Sequence, residues 1–171
     1  MSFLPAGNAA PPFSLMAVSS KRPINLQNRA DKLMLLFHGY QTAVLAGSVI
    51  QGVRESYPDP NQLLIASVAD LRAVPRLLQG AAKKIMGDAY KQAAAHVPAS
   101  EDPADHIIIL PDWKGSVFTA YQVPKSNGQV ALVLIDEGRR VQGSYLGDEP
   151  LQGALALLND RAGGNGNLAQ E

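Results

Sequence analysis

His38, Tyr40, Gln41 and Thr42 stand almost side by side, directly after the unbroken apolar run Leu33-Met34-Leu35-Leu36-Phe37 and directly before a helical pattern. An imidazole beside a hydroxyl is the raw material of base-activated nucleophilic chemistry, with His38 as the base and Thr42 as the nucleophile. The same residue types also suit a plainer role as turn and helix-cap residues, with Thr42 or Gln41 near the amino cap, presenting a polar binding surface. Spacing alone does not bring His38 onto Thr42. No residue is therefore assigned as catalytic, and the four stand as a candidate binding site.

Other chemistry is excluded or thinly supported. There is no cysteine, which removes disulfides, thiolate metal sites and every thiol nucleophile. Met16, Met34 and Met86 can be oxidised but offer no turnover by themselves. His96 and His106 lack metal-ligand spacing, and Glu101, Asp102 and Asp105 lack the alternation of a calcium loop, so neither a metal nor a cofactor is expected. The glycines near the carboxyl end follow no strand and precede no helix, unlike a phosphate loop. Arg72, Arg76, Lys83, Lys84 and Lys91 outnumber Asp88 along one helical stretch; this is read as a solvated face, with docking as the alternative. Trp113 is read as packing against the helix that follows it, with a partner anchor as the alternative.

The elements that must position the four candidates begin with Leu33 to Phe37, a strand buried on both faces. A helix from about Thr42 to Ser56 follows, with Leu45, Val49 and Val53 at spacings of four. Breakers at Tyr57 to Asn61 precede a second buried strand, Leu63 to Val68, which makes a parallel βαβ unit the economical topology. Upstream, Phe13, Leu15 and Ala17 alternate as one arm of a hairpin, turned at Ser19 to Arg22 and returning through Ile24 to Leu26. Downstream, Val74 to about His96 reads as a long helix with Leu78, Ala82, Ile85 and Ala89 as its buried stripe. Val97 to Asp105 reads as an exposed linker, Ile107 to Leu110 as a third strand, and Pro111 to Gly115 as a turn. Ser116 to Val123 reads as a short helix, followed by a loop ending at Ser126-Asn127-Gly128. Val130 to Ile135 and Val141 to Tyr145 form a hairpin whose turn, Asp136 to Arg139, carries Gly138 for positive φ. A last helix opens near Asp148-Glu149-Pro150 and runs to about Asn159.

The chain has 171 residues, 46% apolar and 18% charged, with zero formal net charge. That length suits one domain over residues 1–160 with a flexible tail over 161–171, and no bulk charge draws the chain to a polyanion. No apolar run approaches the ~20 residues of a membrane span, and the amino terminus lacks the pattern of a signal peptide. Cytoplasmic placement is expected, without nucleic-acid or membrane partners.

Several stretches in order resemble the thioredoxin-like superfamily, in its alkyl-hydroperoxide-reductase/thiol-specific-antioxidant (peroxiredoxin-like) branch. They are Gly7-(x)2-Ala10-Pro11-(x)-Phe13-(x)-Leu15, Arg22-Pro23-Ile24-Asn25-Leu26, Leu36-Phe37, Leu110-(x)-Asp112-(x)2-Gly115-(x)-Val117-(x)2-Ala120-Tyr121-(x)-Val123, and Leu134-Ile135-Asp136-(x)-Gly138-Arg139. The resemblance implies a three-layer α/β/α fold: a central mixed β-sheet with an amino-terminal β-hairpin and helices on both faces. It also implies that His38, Tyr40, Gln41 and Thr42 stand at the former active-site turn, with Thr42 and Leu45 near the positions of the family's cysteines. Near Val130 or Ala131, where the family has a cis-proline, this chain has none. Because disulfide exchange and peroxide reduction both begin with a thiolate, the expectation is a degenerate member that has lost thiol redox activity. It would act as a binding or interaction module, as a homodimer or with another protein. The alternative is an enzyme with a non-thiol activity at the old turn, through His38, Tyr40 or Thr42.

Overall fold

The computed structural model describes residues 2–29, 31–125, 128–160 and 167–168. The chain opens with a two-stranded antiparallel ribbon, β1 (Ser14–Met16) and β2 (Pro23–Asn25), in which Leu15 faces Ile24. Phe13 and Ala17 are buried, as the alternation predicts. The turn between the strands holds Ser19 and Lys21 at positive φ.

The central strand is β3 (Lys32–His38), whose residues Leu33 to His38 are all buried. A single 3₁₀ turn, Tyr40–Thr42, leads into α1 (Ala43–Ser56) and then β4 (Leu63–Asp70), which pairs in parallel with β3 from Lys32↔Leu63 to His38↔Ala69. The expected βαβ unit is present. Of the stripe predicted for α1, Val49 and Val53 are buried, but Leu45 is 41% exposed and Ala46 takes its place inward. Leu45 lies in the first turn of α1.

A 3₁₀ turn at Arg76–Leu78 precedes α2 (Gln79–Ala94). Of the stripe predicted there only Ala82 is turned inward: Leu78 and Ile85 are exposed, as is Ala89, and no residue of α2 is fully buried. Beside Ala82 the inward side carries Met86, Gly87 and Tyr90, with Gly87 next to the Ser19 hydroxyl. Helical periodicity is the same for both stripes, and only the neighbouring surface selects one.

The expected linker contains a one-turn helix, α3 (Pro103–His106), capped by the Asp102 carboxylate on the Ala104 N–H at 2.9 Å. Asp102 and Asp105 both pair with Arg22 in the ribbon turn, and Glu101 pairs with His106. The third strand, β5 (Ile109–Asp112), runs two residues later than predicted and includes Pro111. An edge strand tolerates the missing N–H. After it come α4 (Ser116–Ala120), β6 (Ala131–Ile135), β7 (Val141–Leu146) and α5 (Pro150–Asn159), with Pro150 at the first helical position. In the hairpin turn, Arg139 takes positive φ (60°), and Gly138 does not. The turn is held by the Asp136 carboxylate accepting from the Arg140 N–H at 2.9 Å.

Residues 167–168 form β8, parallel to Ser144–Tyr145, so the main sheet has the order β5-β4-β3-β6-β7-β8. The rest of the expected tail, and Ser126-Asn127 of the expected loop, lie outside the described residues. The two faces of β3 feed two cores. Leu33, Leu35 and Phe37 pack with the amino-terminal ribbon and with Val117, Phe118 and Tyr121, while Met34 and Leu36 pack beneath α1 and α5. The α5 helix lies so close to β7 that a Cβ on Gly153 would stand 2.5 Å from the Tyr145 ring. This is a mixed sheet between two layers with an amino-terminal strand pair, as the resemblance implies.

Candidate functional site

The carboxyl ends of β3, β4 and β5 fall in step, with His38 opposite Ala69 and Asp70 opposite Asp112. In open α/β sheets, ligands gather in the crevice beyond such ends. An open cleft of about 970 Å³ lies here, lined by Gly39 to Thr42, Asp70, Arg72 and the α4 region among others.

The four candidates divide. Tyr40 is 84% exposed and, with Gln41, projects from the turn into the cleft. Thr42 lines the cleft but is 6% exposed and occupies the amino cap of α1. Its hydroxyl accepts from the Gly39 N–H at 3.0 Å, which holds the turn closed. His38 is buried and does not line the cleft; alternation along β3 puts it on the face of Met34 and Leu36. Its Nδ1 lies 3.1 Å from the Gly39 carbonyl oxygen, so the neutral ring carries its proton on Nδ1. Burial lowers its pKa from the usual imidazole range, and the Gly39 bond offsets part of that effect. No hydrogen bond joins His38 to Thr42. The imidazole–hydroxyl pair that nucleophilic chemistry needs is not assembled.

Sequence spacing alone does not point to the opposite wall. Asp70 and Arg72 form a two-point ion pair, with Nη2 at 2.6 Å and Nε at 2.9 Å, which lowers the aspartate pKa and raises that of the guanidinium. The guanidinium sits 5.3 Å above the Phe118 ring, which meets Phe37 edge-on at 5.0 Å. Gly115, at φ 68°, clears the space: a Cβ there would lie 2.1 Å from the Arg72 Cδ. The Asp112 carboxylate, 1% exposed, accepts from the N–H groups of Ser116, Val117 and Phe118 at 3.0, 2.8 and 3.3 Å, and so fixes α4 against the sheet. The signal for this wall is positional, because Asp70 and Asp112 end two adjacent strands.

The segment before β6 carries Gln129 and a buried Val130, and no cis peptide bond occurs among the described residues. A second, smaller depression of about 470 Å³ is lined by Asp59, Glu101, Asp102, Asp105 and His106 with neighbouring residues. Among the described residues no cluster of three or more ligating side chains could hold a metal. Trp113 is half-buried and takes the Lys83 ammonium over its ring at 5.8 Å.

Comparison with solved structures matches this arrangement of strands and helices. The exposed lipoprotein thioredoxin of Streptococcus pneumoniae superposes with a TM-score of 0.60 at 17% identity, over 86% of this chain and 98% of that one. The fold is thioredoxin-like. A thiol-disulfide oxidoreductase of Bacteroides fragilis gives 0.59 at 14% identity, over 88% and 99% of the two chains. A Chlorobium tepidum protein named for thiol:disulfide interchange gives 0.59 at 20%, over 91% and 99%. No protein-family profile and no curated protein matches the sequence. These neighbours are named for thiol chemistry, which this thioredoxin-like chain, without cysteine, has no sulfur nucleophile to perform.

Proposed function

We propose that the chain is a thioredoxin-like domain without thiol redox activity that acts as a binding module, taking an extended segment of a protein partner in the cleft beside the Tyr40 turn. The single observation carrying this reading is that the cleft persists at the ends of β3 and β4 while Thr42, at the amino cap of α1, has an oxygen where the fold's chemistry would need sulfur. The cleft offers what a polypeptide needs: an exposed phenol at Tyr40, amides at Gln41 and Gln122, and a cation at Lys125. Val44, four residues after Tyr40, is likewise 84% exposed. The peroxiredoxin-like branch of the resemblance rests on the sequence motifs, and cytoplasmic placement is part of the same reading.

The alternative of a non-thiol enzyme at the old turn loses its base, because His38 is buried away from the cleft and bonded to Gly39. The test pairs two measurements on the purified chain. Insulin-disulfide reduction and peroxide consumption should stay at background. Screening a library of extended peptides by NMR should give shifts centred on Gly39 to Thr42 and Arg72, abolished by Tyr40→Ala with Gln41→Ala. Turnover in either assay that is lost on replacing Thr42, or peptide shifts that avoid the cleft, would overturn the proposal.

A further inference from the structure

Seven large hydrophobic side chains are exposed among the described residues, and three of them, Leu77, Leu78 and Ile85, come from one short stretch entering α2. Leu77 is 97% exposed, Leu78 56% and Ile85 53%. On a helix, Leu78, Ala81, Ile85 and Ala89 share one side at spacings of three and four. The inward side is taken by Ala82, Met86 and Tyr90. The result is a convex aliphatic ridge turned to solvent, with no partner among the described residues.

Cations line one side of the ridge. Arg76 stands at its start, and Lys84 and Lys91, seven residues apart, run along one flank; Asp88 is the sole acid between Arg76 and Lys91. Lys83 is turned back over Trp113 and belongs to the domain's own packing. Apolar side chains on a convex helix, flanked by Arg and Lys stems able to reach outward, match the interface of a bilayer carrying anionic headgroups. A protein partner is favoured less. Its anchors seat in concave pockets and draw on aromatic residues, whereas this ridge is aliphatic and lines neither of the two clefts described above.

We infer that the exposed face of α2, with the turn at Arg76–Leu78, docks peripherally on an anionic lipid surface. No helix of the described residues is long and apolar enough to cross a membrane, so the contact is one of lying on the surface. Arg72, on the cleft wall, precedes Leu77 by five residues, so docking would hold the Arg72 wall of the cleft toward the bilayer. The inference does not depend on what the cleft binds.

The experiment is co-sedimentation of the full chain with vesicles of phosphatidylcholine alone and of phosphatidylcholine and phosphatidylglycerol in equal parts. With a net two cations at the face, partitioning onto the anionic vesicles should exceed that onto neutral ones by roughly 30-fold and fall away at high salt. The exposed pair L77A/I85A should weaken binding while leaving the thermal transition in place, and K84Q/K91Q should abolish the preference for anionic lipid. No sedimentation with anionic vesicles, or binding indifferent to both double variants, would overturn the inference. So would a wild-type dimer that Leu77→Asp dissociates, since the ridge would then belong to a second copy of the chain.

Discussion

The Nδ1 of His38 and the hydroxyl of Thr42 converge on one atom, the Gly39 carbonyl oxygen, at 3.1 and 3.4 Å, and make no bond to each other. Two groups that sequence order suggests as base and nucleophile are instead two supports of a turn. The longer contact is weak by distance, and the firmer Thr42 bond is the one its oxygen accepts from the Gly39 N–H at 3.0 Å.

Thr42→Val should therefore act on stability. Removing the acceptor of the Gly39 N–H leaves that donor without its partner at a half-buried turn and is expected to cost about 1 kcal/mol. Urea unfolding measures it. An unchanged midpoint would show that the turn holds without the hydroxyl.

His38 predicts a pH dependence with a definite sign. Its folded pKa is lowered by burial, so the unfolded chain takes up the proton first as pH falls. Its full contribution to stability is present above the unfolded pKa of about 6.5 and is lost as pH drops from there toward the lowered folded value. Thermal melts from neutral to mildly acidic pH should show this decline, and His38→Asn, which does not titrate there, should flatten it. A parallel decline in the variant would assign the effect elsewhere.

Asp112→Ala should be among the more damaging single changes. It leaves the N–H groups of Ser116, Val117 and Phe118 without their acceptor beneath a buried helix start, at an expected cost of about 2–4 kcal/mol. Asp112→Asn keeps an acceptor oxygen and should lose less. Because α4 carries Phe118 under Arg72, the alanine variant should also shift the NMR signals of Arg72 more than those of α5.

Introducing sulfur tests whether the scaffold supports thiol chemistry. Thr42 is at the amino cap of α1 and Leu45 is three residues on, partly exposed. Thr42→Cys with Leu45→Cys would place two thiols at a helix amino end, where the dipole favours thiolate. The double variant is expected to move from background to a measurable rate of insulin-disulfide reduction, while Thr42→Ser stays at background. Failure of a correctly folded double-cysteine chain would mean that the scaffold lacks more than sulfur.

The legible parts of the fold were those whose pattern has one solution. The run Leu33 to Phe37 and the run Leu63 to Val68 are apolar at every position except Ser67, which only a strand covered on both faces requires, and both are central parallel strands. At α2 the pattern had two solutions. Leu78, Ile85 and Ala89 form one apolar side, Met86 and Tyr90 lie on another, and the side against the ribbon turn was taken by the second. At the hairpin, glycine was the residue expected at positive φ, yet Arg139 holds that conformation within a turn closed by Asp136.

By itself the sequence determined two things: the absence of any thiol, which is composition and needs no coordinates, and a strand–turn–helix junction at His38 to Thr42, which follows from period and breakers. Tertiary structure alone decided what that junction can do. The parity of β3 sends His38 beneath α1 while the turn sends Tyr40 into the cleft, and β4 and α4 bring Asp70, Arg72 and Phe118 across from it over long stretches of chain. Side-chain direction at a strand end and contact between distant segments are set by register and packing, and neither is written in local spacing.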